Sequence, residues 1–128
     1  LEGAPYMLGD FAPSYWSLRR RHWRHDKPFL LTNVYIDERL KSAITQNDIE
    51  TKTALRLVHD IKGLEIVDAQ QTLTIGSADV ETAEALSIPL NAPVAYVYRR
   101  AVDKDGVAVL IAQGIYDGQV VRFDVKLR

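Results

Sequence analysis

No cysteine occurs in this sequence, and methionine occurs only once. Disulfide staples and thiolate chemistry are thereby excluded, and a reducing, cytoplasmic setting is expected. No apolar run approaches the ~20 residues of a membrane-crossing helix, and no basic-then-apolar leader is read at the start; no membrane partner is expected. An excess of one charge sign is missing too. Sixteen Lys and Arg stand against 17 Asp and Glu, a formal net charge of −1, so no global field draws the chain to nucleic acid. Three histidines are present, but His22 and His25 fall on opposite faces of a strand. No acid cluster completes a shell around them, so neither a metal nor another cofactor is expected. What is there is 128 residues, 47% of them hydrophobic, enough for one ordinary globular domain.

The chain contains one hairpin pattern twice. Tyr98-Arg99-Arg100, the turn Asp103-Lys104-Asp105-Gly106 and the apolar run 107–116 have a weaker copy eighty positions earlier. There Leu18-Arg19-Arg20 precedes a turn near His25-Asp26-Lys27-Pro28 and the run 29–36. Without a gap, Arg19 falls on Arg99, Arg20 on Arg100 and Asp37 on Asp117. Each copy reads as strand, polar turn, strand. Together they predict one sheet that carries arginines in both halves and floors a small-molecule site.

Residues 1–14, with Gly3, Pro5, Gly9 and Pro13, read as an irregular N-terminal arm or a linker remnant; the domain proper is 15–128. Strands are predicted over 15–24 and 29–36, then a short helical segment to Ile44. A helix over 49–61 follows, capped by Asn47 or Asp48, with Ala54, Leu57, Val58 and Ile61 on its buried stripe and Gly63 at its end. Residues 66–75 alternate as a strand, and 76–79 open a second helix with Val80, Ala83, Ala85 and Leu86 inward. Strands over 94–102, 107–116 and 121–127 complete a meander. The order β-β-α-β-α-β-β-β gives the α+β class: an antiparallel sheet of about six strands with helices on one face.

Few residues invite catalysis. Ser77 lacks the second glycine of a nucleophile elbow and reads as a helix cap. Glu81 and Glu84 read as solvated. The run Arg19 to Arg24 would suit phosphates with Trp23 stacking, or equally an exposed strand whose charges discourage edge pairing. Arg100, beside Tyr96, Tyr98 and Val102, needs a partner, because an isolated buried charge costs several kcal/mol; a bound anion and an internal acid such as Asp124 both qualify. Thr51 and Thr53 near the helix start add hydroxyl donors to its free N–H groups.

The string Arg-Arg-x5-Asp-Lys-Pro-Phe-Leu-Leu-Thr-Asn-Val-Tyr-Ile-Asp (19–37) resembles the first hairpin of UTRA domains. So does the stretch Thr82 to Gly106, followed by a Tyr-Asp-Gly turn and a last Arg-Phe-x-Val-x-Leu segment. These are the effector-binding halves of GntR-type bacterial transcription regulators of the HutC subfamily, and the likeness covers about 15–127. It implies a chorismate-lyase-like fold, a homodimer, and a ligand held between sheet and helices. It also implies a repressor whose winged-helix DNA-binding domain precedes this one, and a sensor rather than an enzyme. The alternative on the same fold is an enzyme of the chorismate-lyase type, with Glu65 and Asp68 as its poor acid candidates. The family's Arg-x-Arg becomes Arg20 and His22, which suits a small carboxylate better than a phosphate. Thr32 stands where an acid often grips sugar hydroxyls, Thr53 matches the family's Ser/Thr and Tyr116 its late aromatic. The expected ligand residues are therefore Arg20, His22, Thr32, Thr53, Arg100 and Tyr116. The expected effector is a small anionic metabolite: a carboxylate, an amino-acid derivative or a sugar phosphate.

Overall fold

The computed structural model describes residues 9–127. Two hairpins follow from local rules. In one, β2 (Tyr15–Arg24) turns through His25 and Asp26 into β3 (Lys27–Asp37). Both turn residues have positive φ, 50° and 62°, the mirror-image geometry that a two-residue hairpin between twisted strands requires. In the other, β5 (Pro93–Asp103) returns as β6 (Val107–Asp117). Here the Asp103 carboxylate accepts hydrogen bonds from the Asp105 and Val107 amides, each 3.0 Å, and Gly106 takes the left-handed conformation.

β3 then pairs antiparallel with β6, and β4 (Ile66–Ser77) closes the far side against β5. The strand order is β2-β3-β6-β5-β4. A sixth, two-residue strand, β1 (Asp10–Phe11), lies parallel to the start of β6. The expected arm is thus partly built into the sheet, with Ala12 buried and Tyr15 Oη donating to the Ala108 carbonyl at 2.6 Å. Its first eight residues lie outside the described range.

The helix expected over 49–61 is two helices, α1 (Gln46–Thr51) and α2 (Ala54–His59). Thr45, not Asn47 or Asp48, caps α1: its hydroxyl accepts from the Asp48 amide, and the Asp48 carboxylate accepts from the Thr45 amide. Lys52 and Thr53 are extended and break the run. The break costs little because two β-branched threonines flank it, and such side chains lose rotamer freedom in a helix. Leu57 and Val58 are buried as the stripe predicts. α3 (Val80–Leu86) begins at Asp79, whose carboxylate accepts from the Thr82 amide at 2.8 Å; Ser77 ends β4 instead of capping.

The helices divide between the sheet's faces. α2 packs Leu57 and Val58 on Val34, Ile36, Leu110, Ala112 and Ala101. α3 packs Ala83 and Leu86 with Val94, against Leu31, Ile115 and Tyr96. Strand alternation puts the two sets on opposite faces, so the one-face expectation holds for α2 and not for α3. The last expected strand, 121–127, pairs with no described residue; β6 ends in a 3-10 turn (Gly118–Val120), which Val121 leaves in an extended conformation.

Candidate functional site

Register decides which side chains meet. Arg20 pairs with Thr32, Thr32 with Gly114, Gly114 with Val97, and Val97 with Leu73. This row runs across all five long strands on the α2 face, and His22, Leu30 and Tyr116 form the next row. Over them, the break between α1 and α2 brings Thr53. The result is a cavity of about 480 Å³ bordered by Arg20, His22, Thr32, Thr53 and Tyr116 together. Five of the six expected positions thus gather around one hollow.

Arg100 does not join them. Under the eighty-residue offset Thr32 maps to Ala112, but Arg100 pairs with Ile111, one residue out of step with the first hairpin. A slip of one residue turns a side chain to the other face. Arg100 is buried there, and its Nη2 donates to Gln70 Oε1 at 2.8 Å. Asp124, a proposed partner, instead pairs with Arg122 on the exposed tail. The residue that takes the place intended for Arg100 is its neighbour Arg99, which borders the cavity and donates to Gln71 Oε1 at 2.6 Å. The repeat pointed to the right dipeptide, and only the pairing register could choose between its members.

The cavity is cationic. Arg20, Arg24, Lys52 and Arg99 border it, with Glu50 the one acid among the bordering residues. Most of these charges are already engaged. Lys52 sits 3.2 Å from both Asp48 and Asp60, and the Arg24 guanidinium lies 4.7 Å from the centre of the Phe29 ring. Arg20 differs: its Nε and Nη2 are buried and without a hydrogen-bond partner. These two donors form one edge of the guanidinium fork, the edge that grips a carboxylate or phosphate in two parallel bonds.

His22 stands two residues further along the same face, its Nε2 3.3 Å from the Thr32 hydroxyl. Burial, and then the charge of Arg20, hold its pKa below the ordinary histidine range. Thr53 caps α2 by position, yet its hydroxyl makes no capping bond and is left for the cavity. Gly114 contributes by having no side chain. A Cβ there would meet only Leu30 Cδ1 at 3.4 Å and more distant atoms, so the floor stays open where Thr32 and Val97 flank it. Leu30, Val34, Ala54 and Ala112 supply apolar wall.

A larger cleft of about 790 Å³ lies against α3, with Arg19, Arg21, Asp79 and Glu81 among the residues that border it. Arg20 and Thr32 border both hollows, but alternation sends their side chains towards the smaller one. Among the described residues no group of three or more His, Cys, Asp or Glu is placed to hold a metal, and no helix is long and apolar enough to cross a membrane.

A largely antiparallel sheet, with α1 and α2 over a cationic hollow on one face, defines an α+β domain. The UTRA domain family model matches residues 12–122, and the chain belongs to that family. Solved structures share the fold at low identity. A GntR-family transcriptional regulator from Enterococcus faecalis is 18% identical with a TM-score of 0.73, over 88% of this chain and 80% of that one. The effector-binding domain of the Bacillus subtilis trehalose repressor TreR is 16% identical with a TM-score of 0.70, over 89% and 78%. PhnF from Mycobacterium smegmatis is 18% identical with a TM-score of 0.63, over 88% of this chain but 49% of that one. By sequence alone, no curated protein matches.

Proposed function

We propose that this domain senses a small anionic metabolite for a bacterial GntR-type transcription regulator of the HutC subfamily. In this reading the effector seats its anionic group on Arg20, in the cavity roofed by α1 and α2. The observation that carries it is the pair of buried, unpartnered donors on Arg20. Leaving such donors unmet costs about 1–3 kcal/mol each, and a carboxylate or phosphate meets both at once. His22 beside Arg20 favours a small carboxylate over a phosphate, which would profit more from a second fixed positive charge. Thr32, Thr53 and Tyr116 offer hydroxyls to the rest of the ligand.

The domain works in this reading as a homodimer in the cytoplasm. Effector binding shifts the balance between two dimer arrangements and so the spacing of N-terminal winged-helix heads on DNA. The enzymatic alternative has no observation in its favour, since neither Glu65 nor Asp68 borders the cavity. A thermal-shift panel of carboxylates, amino-acid derivatives and sugar phosphates tests the proposal. A specific effector at a hundredfold excess over its Kd stabilises the fold by about 2.7 kcal/mol, and Arg20→Ala cuts that shift at the same effector concentration. Turnover on incubation with chorismate would overturn the sensor reading.

A further inference from the structure

The face of the sheet that carries α3 holds the larger cleft, and register fixes its floor. Arg19 pairs with Asn33, Asn33 with Gln113, Gln113 with Tyr98, and Tyr98 with Thr72. Five polar side chains thus stand in one row across all five long strands, on the face opposite Arg20. The neighbouring row is Arg21, Leu31, Ile115, Tyr96 and Thr74; its apolar centre packs against α3. Both rows border the cleft, whose volume of about 790 Å³ is that of a small-molecule site. Asn33, Gln113, Tyr98 and Thr72 are half-buried, and burial raises the Tyr98 hydroxyl above its ordinary pKa. The polar row therefore lies in a concavity and not on an open face.

Charge is split between the two ends of this cleft. α3 starts beside β4 and β5: Asp79 stands two residues past Ser77, and the Ala78 amide donates to the Ala92 carbonyl at 2.9 Å. The helix ends over β2, where Arg21 Nη1 lies 3.5 Å from the Ala85 carbonyl. Asp79 and Glu81 therefore border one end of the cleft, and Arg19 and Arg21 the other. Asp79 Oδ1 accepts from the Thr82 amide, and the Arg21 guanidinium lies 5.0 Å from the centre of the Trp23 ring. Among the described residues Arg19 and Glu81 enter no ion pair. β2 and β5 are three strand spacings apart, about 14 Å, and the opposite charges stay separated. The smaller cavity is cationic; this cleft is dipolar.

We propose that the α3-face cleft is a second ligand site, separate from the effector cavity, and that it takes a short peptide with free termini. The C-terminal carboxylate pairs with Arg19 and Arg21, and the N-terminal ammonium with Glu81 and Asp79. Between them the peptide lies extended along the polar row; at about 3.3 Å per residue, about three or four residues span the gap. Asn33 and Gln113 carry carboxamides, which donate and accept as a peptide bond does, and Tyr98 and Thr72 add hydroxyls. Apolar side chains of the peptide meet Leu31, Ile115 and Tyr96. A free amino acid, with both charges beside a single carbon, reaches one end only. A simple anion, which suits Arg20, is repelled here by Glu81 and Asp79.

NMR titration of the full chain with tri-alanine, Ala-Leu-Ala and Ala-Phe-Ala, each free, N-acetylated or C-amidated, tests it. At least one free peptide is expected to saturate at millimolar concentration or below. It moves the backbone amide signals of Asn33, Thr72, Thr74 and Glu81 and leaves those of His22 and Thr53, at the effector cavity, in place. Acetylation and amidation each weaken binding about fivefold, the scale of an ion pair at a partly exposed site. Glu81→Gln removes the penalty of acetylation and Arg19→Gln that of amidation. Both positions are exposed, so the variants keep the unmodified chain's spectrum, and a merely structural effect would weaken all three peptide forms alike. Three outcomes overturn the proposal: no peptide binds at millimolar concentration, the moved signals are those of His22 and Thr53, or acetylation costs as much in Glu81→Gln as in the unmodified chain.

Discussion

Arg20 and Arg100 occupy equivalent positions in two matched hairpins and lie on opposite faces of the same sheet. Arg20 pairs across to Thr32 and Arg100 to Ile111, and that one-residue mismatch separates their fates. One guanidinium belongs to a residue that borders the cavity and keeps two buried donors unmet. The other is 2% exposed and donates to Gln70. The same side chain therefore borders a cavity in one hairpin and is tied into the sheet in the other.

Arg20→Ala separates the two roles at the first position. Because Nε and Nη2 meet no internal acceptor, their removal strands no carboxylate. The melting temperature of the empty domain is expected to hold or rise. Affinity for an anionic effector falls by about 1.5–3 kcal/mol, the scale of a hydrogen bond to a charged group. A large drop in melting temperature without ligand would show that Arg20 holds the fold together, and the site assignment would be wrong.

Arg100→Ala is expected to behave in the opposite way. It empties a buried volume between Gln70 and Ile111 and removes the donor to Gln70. Core truncations of that size cost about 2–5 kcal/mol. Effector affinity, measured by calorimetry well below the new melting temperature, stays within a factor of about three, because no part of Arg100 borders the cavity. A tenfold loss of affinity in the folded variant would return Arg100 to the site.

Much of this architecture was legible because it is local. Alternation fixed β2, β3, β5 and β6, and the Asp103 to Gly106 turn reads from residue types alone. Arg20 and His22 could be grouped because alternation within one strand decides their face, while Thr32 joined them only through the family resemblance. Arg100 could not, since its face depends on long-range pairing and one slipped residue inverts it. The split between α1 and α2 was hidden because the apolar stripe, Ala54 to Ile61, begins only after Lys52 and Thr53 and so carries no signal at the break. The tail at 121–127 alternates apolar and charged residues as a strand would, yet no described residue pairs with it, because periodicity reports a face to bury and not the neighbour that buries it.

Gly114→Val tests the cavity without touching a charge. The glycine sits between Thr32 and Val97 in the floor, and its absent Cβ would contact Leu30 only at ordinary distance. Valine suits a strand better than glycine, which weakens strand interiors by leaving nothing to pack. Stability is expected to stay level or rise by up to about 1 kcal/mol, while the branched side chain fills the space beside Arg20. Effector binding falls at least tenfold in a thermal-shift or calorimetric titration. A variant that melts as before and binds as before would place the ligand elsewhere.

His22 gives the site a pH dependence whose sign follows from its surroundings. Burial and the Arg20 charge depress its folded-state pKa below the ordinary 6.5. As pH falls through that ordinary value, the unfolded chain takes up the proton before the folded one does. The empty domain therefore loses stability downward from about pH 6.5 until the folded-state pKa is passed, and below that the penalty is constant. An anion on Arg20 reverses the local field. It screens the guanidinium and offers His22 a negative neighbour, against the background of Arg24, Lys52, Arg99 and Glu50 around the same cavity. His22 is then protonated more readily in the complex than in the empty domain, so binding takes up a proton and affinity weakens as pH rises. Titration calorimetry at pH 6 in two buffers of different ionisation heat measures that uptake directly. A fraction of a proton is expected for the unmodified chain and none from this position in His22→Gln, which keeps a hydrogen-bond donor but cannot titrate. Equal proton uptake in both proteins would show that the ligand's charge does not reach His22.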